Sequence, residues 1–158
     1  MDKKRKIITI VFLAITIALT LTIIINAFFP ENVSASMSNS ISDEIVKVYT
    51  PTDKEKFYTF VRKSLGHFLL NGFNALFASL TVMFFSKGRK LHRGIYLLFA
   101  LAYSVVVAAT SEFIQIFVDG RGATWKDVLI NSAGCLLFAF IVGLVYSIKF
   151  YVHEKKTA

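Results

Sequence analysis

Cysteine, proline and charge are all scarce in this chain of 158 residues, and each shortage removes a class of function. The single cysteine, Cys135, sits inside an apolar run, so it forms no intrachain disulfide and has no second thiol for a redox pair or a cysteine-built zinc cluster. No metal and no cofactor are expected. The eight glycines are scattered, and none falls in the G-x-G-x-x-G or G-x-x-x-x-G-K spacing that cradles phosphates, so nucleotide use gains no support. Acidic residues are few, ten against eighteen Lys and Arg, giving a formal charge of +8. That balance would suit nucleic acid, but the basic residues flank apolar stretches longer than a soluble core helix needs, so nucleic acid is not an expected partner.

What the chain does have is hydrocarbon: 55% of its residues are hydrophobic and the mean hydropathy is +0.60. This composition belongs to a membrane protein. The expected fold is all-α and polytopic, one domain over residues 1–158 with four transmembrane helices and an interfacial segment outside. A span needs about 20 apolar residues at 1.5 Å rise per residue, which places the four at about 7–29, 67–85, 95–118 and 128–148. The first is too long for the apolar core of a signal peptide, about 7–15 residues, so it reads as an uncleaved anchor despite the small residues Val33 and Ala35 beyond it. Lys3 to Lys6, the basic 86–94 loop and a tail carrying Lys149, Lys155 and Lys156 share one side. The positive-inside rule makes that side cytoplasmic, with both termini there.

Residues 30–66 then form an outer loop with balanced charge. Its serine-rich part, Asn32 to Ser42, has little to bury and is expected to lack fixed structure. Phe57, Phe60 and Val61 beside Lys54, Lys56, Arg62 and Lys63 read either as an interfacial helix leading into the second span or as a solvated loop with aromatics dipping into the interface.

Ionisable and amide side chains inside the spans collect at one depth. Each such ionisable group costs roughly 2.5–3.5 kcal/mol at mid-span, so each needs a reason. Glu112 lies about 9 Å and Gln115 about 4–5 Å inside the outer boundary of the third span. Asn131 is about 6 Å beyond Asp127 on the fourth, and His67 opens the second with Asn71 about 6 Å and Asn74 about 10 Å deep. His67, Asn71 and Asn74 stand at i, i+4 and i+7, as do Asp127, Asn131 and Gly134, so each helix turns one polar stripe inward. The loop 119–126 closes over this layer, with Gly120 and Gly122 permitting a tight turn that aims Arg121 inward and Trp125 as interfacial anchor. Below the layer the spans are nearly featureless, which argues against a monomeric pore.

The run Ser111-Glu112-Phe113-Ile114-Gln115, followed by Arg121, Asp127-Val128-Leu129, Asn131 and Gly134, resembles the core pattern of the VanZ-like membrane protein family, and Arg62 to His67 is similar to the basic-plus-histidine element that precedes it there. The resemblance covers roughly residues 62–144. The loop before Arg121 lacks the proline found in many members. The resemblance implies lowered susceptibility to glycopeptide antibiotics of the lipid-tailed teicoplanin type, without implying a mechanism. Physically, a pocket built by the last three spans, with Arg121 and His67 beside Glu112 and Asp127, suits a phosphate or carboxylate. The expected ligand is the headgroup of a membrane lipid or a lipid-linked cell-wall precursor. Expected ligand contacts are Arg121, Glu112, Gln115, Asp127, Asn131, His67 and Asn71. A membrane hydrolase or transferase with Glu112 or His67 as acid or base is the alternative. Plainer roles stand beside these: Asp127 as a helix cap, Glu112 paired with Arg121 or hydrogen-bonded to Asn131, and the amides as interhelical partners. The small residues from Ser132 to Cys135 permit packing within the chain or between copies of it.

Overall fold

The computed structural model describes residues 2–86 and 93–157, and every regular element among them is helical. Helix α1 is Lys3–Ala27, α2 is Glu31–Val48 and α3 is Lys54–Thr59. A π-helical segment, Phe60–Gly66, joins α3 to α4, His67–Ser86; α5 is Arg93–Gln115 and α6 is Trp125–Thr157. Among the described residues, four helices are long and apolar enough to cross a membrane: Lys3–Ala27, the continuous Lys54–Ser86, Gly94–Gln115 and Trp125–Ile148. Each overlaps one expected span, although α5 ends at Gln115 instead of 118 because 116–118 already turn into the loop, and the second helix starts well before its apolar part. Of the basic loop expected at 86–94, residues 87–92 lie outside those described.

Helix α4 is the centre, packed against α1, α5 and α6. Small residues allow this: Gly72, Ala75, Ala78 and Ser79 on α4 are buried, Gly72 faces the Phe138 ring of α6, Gly134 faces Phe68, and the Cys135 thiol donates to the Asn71 carbonyl. A side chain at Gly134 would run into the Phe68 carbonyl, so the close crossing of α4 and α6 requires glycine there. The small-residue patch is therefore used inside the chain at Gly134 and Cys135, while Ala133 is exposed. Large apolar side chains such as Ile10, Leu21, Leu136 and Phe140 point outward, as lipid-facing positions do.

Polar ties fix the register at two depths. At the end where α1 begins, Arg5 Nε donates to the Phe84 carbonyl at 2.6 Å and Nη2 to that of Phe85 at 3.1 Å, meeting the last turn of α4 with a cation. In mid-bundle, Asn74 Nδ2 donates to Thr20 Oγ1 at 2.8 Å, and that hydroxyl also pairs with Tyr103 at 2.6 Å. Asn74 is therefore turned toward α1 and not toward Glu112.

The serine-rich stretch is a helix, which corrects the expectation of an unfixed loop. Pro30 precedes α2, and the hydroxyls of Ser36, Ser38 and Ser42 donate back to carbonyls three or four residues earlier, so they are satisfied without breaking the helix. Ser34 and Ser42 are buried. The helix forms because it has tertiary work, covering the end of the bundle where α1 and α5 finish. Of the two readings of 54–63, the helical one holds, and Asp53 caps it by accepting from the Lys56 amide at 3.1 Å.

Candidate functional site

At the end covered by α2, the first turn of α4, the last turn of α5 and the second turn of α6 bring three polar side chains together. Glu112 Oε1 lies 3.2 Å from His67 Nδ1 and accepts a hydrogen bond from Asn131 Nδ2 at 2.8 Å. Glu112 is 3% exposed and Asn131 fully buried, so the carboxylate is held away from solvent by helices on both sides. Asn71, one turn into α4 from His67, donates Nδ2 to the His67 carbonyl at 3.0 Å and receives the Cys135 thiol on its own carbonyl at 3.5 Å. Glu112 Oε2, Asn131 Oδ1 and Asn71 Oδ1 are buried acceptors with no hydrogen-bond partner among the described residues. Such groups are expensive in a membrane interior and mark a place where a donor is wanted.

Arg121 enters from the loop above. Val118 to Arg121 close a turn through the Arg121 amide and the Val118 carbonyl at 3.1 Å, with Gly120 at φ +75°, a conformation that favours glycine. The turn carries the guanidinium inward. There Nη1 donates to the Asn26 carbonyl at 2.7 Å, at the end of α1, and Nη2 to Ser34 Oγ at 2.8 Å on α2. Burial pushes the Arg121 guanidinium below its ordinary value; Glu112 opposes the shift, Arg62 adds to it and Glu31 opposes it. Arg121 thus feels Glu112 through space, while its hydrogen bonds go to α1 and α2. Nearby, Arg62 Nη2 pairs with Glu31 Oε1 at 2.5 Å, so a second cation is held against the same face of α2.

Of these groups, Arg62, His67, Asn71 and Arg121 border a cavity of about 310 Å³ beneath α2. Its hydrocarbon wall includes Ile23, Ile41, Leu65, Leu69 and Leu70, and its polar wall Asn26, Ser34, Asn71, Ser111 and Gln115. A narrower polar cleft of about 20 Å³ adjoins it, bordered by Glu31, Lys63, Gly122 and Asp127. Arg62, His67, Gln115 and Arg121 line both spaces and form the partition between them. A phosphate or carboxylate placed at this partition meets two guanidinium groups and an imidazole.

Compared with known proteins, residues 11–146 match the family model described as VanZ/LLP1. The chain belongs to the VanZ/LLP1 family. No curated protein and no solved structure gives a significant match. Family membership and four apolar helices make this VanZ/LLP1 protein a VanZ-like multi-pass membrane protein of a kind associated with glycopeptide resistance.

The residues expected at the site separate into layers in this VanZ/LLP1 protein. Arg121, Gln115, His67 and Asn71 border the cavity, and Asp127 borders the cleft. Asp127 also caps α6, its Oδ2 accepting from the Thr124 hydroxyl at 2.8 Å and the Thr124 amide at 3.2 Å. Glu112 and Asn131 border neither space; they stand behind the imidazole. Ser111 borders the cavity with its hydroxyl donating to the Ala108 carbonyl at 2.8 Å. The pocket is not built by the last three spans alone, because α1 supplies Ile23 and Asn26 and α2 supplies Ser34 and Ile41. Arg62 was the guanidinium not singled out from sequence, although the Arg62-to-His67 element held the clue. The two stand at i and i+5, the hydrogen-bond spacing of a π-helix, and π-helical turns are frequent at functional sites. Among the described residues no cluster of His, Cys, Asp or Glu is arranged to hold a metal ion.

Proposed function

We propose that this protein lowers susceptibility to teicoplanin-type glycopeptides by holding the anionic headgroup of a membrane lipid or lipid-linked cell-wall precursor at the partition formed by Arg62, His67, Gln115 and Arg121. The single observation that carries this reading is the convergence of two guanidinium groups and a carboxylate-backed imidazole on an amphipathic cavity in a multi-pass membrane protein. Guanidinium forks match phosphate and carboxylate oxygens, and a partly buried site strengthens the attraction. In this reading Glu112 orients and balances His67, Asn131 anchors Glu112, and Gln115 and Asn71 offer neutral hydrogen bonds. Asp127 holds the first turn of α6 through Thr124 and borders the approach. The cavity end faces the outside of a bacterial plasma membrane, with both termini cytoplasmic, which puts the site in the leaflet where cell-wall precursors are displayed.

The test compares teicoplanin and vancomycin susceptibility in cells carrying wild type, Glu112→Gln and Arg121→Ala at matched membrane abundance. Loss of teicoplanin protection in both variants is expected; full protection in both removes the pocket from the mechanism.

One observation favours a second reading. His67 Nδ1 on a buried carboxylate is the arrangement that orients an imidazole for proton transfer, so a hydrolase or transferase acting on a lipid phosphate would use His67 as acid or base with Glu112 positioning it. Altered lipid products formed by wild type and absent with His67→Gln would establish it.

A further inference from the structure

The cavity is larger than a headgroup needs, and most of its wall is hydrocarbon. Ile23, Ile41, Leu65, Leu69 and Leu70 contribute to that wall, drawn from α1, α2, the π-helical segment and α4. At about 30 Å³ for each water-sized group, a cavity of about 310 Å³ takes about ten such groups, the scale of one alkyl chain.

The cations at its mouth are already occupied by α2. Glu31 Oε1 sits 2.5 Å from Arg62 Nη2, and Ser34 Oγ accepts from Arg121 Nη2 at 2.8 Å. Glu31 and Ser34 are three residues apart on one face of α2, so a carboxylate and a hydroxyl present oxygen to two neighbouring guanidinium groups as a phosphate would. The Glu31 side chain is 41% exposed and Arg62 17%, leaving the pair within reach of an arriving anion. A ligand anion that takes Arg62 and Arg121 releases α2 at these two points, and α2 forms one wall of the cavity.

We propose that the cavity binds a single-chain phosphate amphiphile, its phosphate on Arg62 and Arg121 and its chain between α1, α2 and α4, and that Glu31 is the internal anion it displaces. This rests on the headgroup reading above and adds to it the number of chains and the competing group.

The experiment uses the full chain in phosphatidylcholine nanodiscs and measures retention of radiolabelled dodecyl phosphate above that of empty discs. Saturable retention is expected, displaced by unlabelled dodecyl phosphate but not by inorganic phosphate or by dioleoyl phosphatidate at the same concentration. Glu31→Gln is expected to tighten binding about two- to fivefold, the scale of one partly exposed ion pair. Leu69→Trp, which fills the chain's seat, is expected to abolish retention while the helical melting transition is kept. Equal competition by dioleoyl phosphatidate, or full retention by Leu69→Trp, overturns the single-chain assignment and leaves the headgroup reading standing. Equal competition by inorganic phosphate reduces the site to a free-anion site and overturns it also. Unchanged or weaker binding by Glu31→Gln overturns the displacement. If neither phosphate lipid binds above Arg121→Ala, the headgroup reading itself fails.

Discussion

The Glu112 carboxylate lies directly behind the His67 imidazole, with Oε1 3.2 Å from Nδ1, so the imidazole borders the cavity and the carboxylate does not. Glu112 therefore acts through His67. Its second partner, Asn131 at 2.8 Å, fixes the carboxylate from α6, so one oxygen joins α4, α5 and α6. Removing the charge and removing the side chain should consequently have different effects.

Glu112→Gln keeps the volume and an amide oxygen for one donor. We expect the thermal transition of the purified protein in detergent to shift little, by under about 1 kcal/mol, while protection against teicoplanin is lost. Glu112→Ala strands the His67 and Asn131 donors and should cost about 1–3 kcal/mol as well. Parallel melting curves and susceptibility measurements separate the two effects; equal destabilisation by both variants would make Glu112 a purely structural tie.

Gly134 and the Phe68 carbonyl set the approach of α6 to α4, and a methyl group at 134 has no room. Gly134→Ala is expected to destabilise the protein by about 1–3 kcal/mol, the range of overpacking substitutions. Gly122→Ala is the control, since nothing lies within 4 Å of the added carbon. Circular dichroism melts of the two variants in one detergent check this, and an unshifted transition for Gly134→Ala would contradict the crossing described.

Arg121 holds two elements with two nitrogens, the Asn26 carbonyl on α1 and Ser34 on α2. Lysine supplies charge but lacks the fork that reaches both. Both Arg121→Lys and Arg121→Ala should speed amide hydrogen exchange over residues 31–42, with little change in α4. Exchange in α2 that stays as slow as in wild type would show that the helix is held by other contacts.

These expectations also show what the sequence carried and what it hid. Span lengths were legible because hydrocarbon thickness fixes them, and the meeting of Glu112, His67 and Asn131 followed from depth and helical face. Helical spacing gives the direction of a side chain within its own helix but not the helix it meets. Asn74 accordingly shares a stripe with Asn71 yet bonds Thr20 on α1. Helix α2 was hidden for another reason. Serine-rich composition reads as unfixed chain, and only the tertiary partners Arg62 and Arg121, far along the sequence, give Glu31 and Ser34 a reason to be helical.

The orientation of the bundle has a convenient probe in the scarcity of thiols. Cys135 is buried, and Cys135→Ala removes the native thiol at the loss of one weak contact to the Asn71 carbonyl. In it, Ser36→Cys on exposed α2 should react with a membrane-impermeant maleimide in intact cells, and Lys156→Cys only after permeabilisation. The reverse pattern would place the cavity on the cytoplasmic side.

The most direct measurement of the central claim is retention of a lipid-linked cell-wall precursor by the purified protein in nanodiscs, comparing wild type with Arg121→Ala and Glu112→Gln at equal folded protein. The account predicts saturable retention by wild type, near-complete loss with Arg121→Ala and partial loss with Glu112→Gln. Equal retention by all three, in protein shown to be folded, would contradict it.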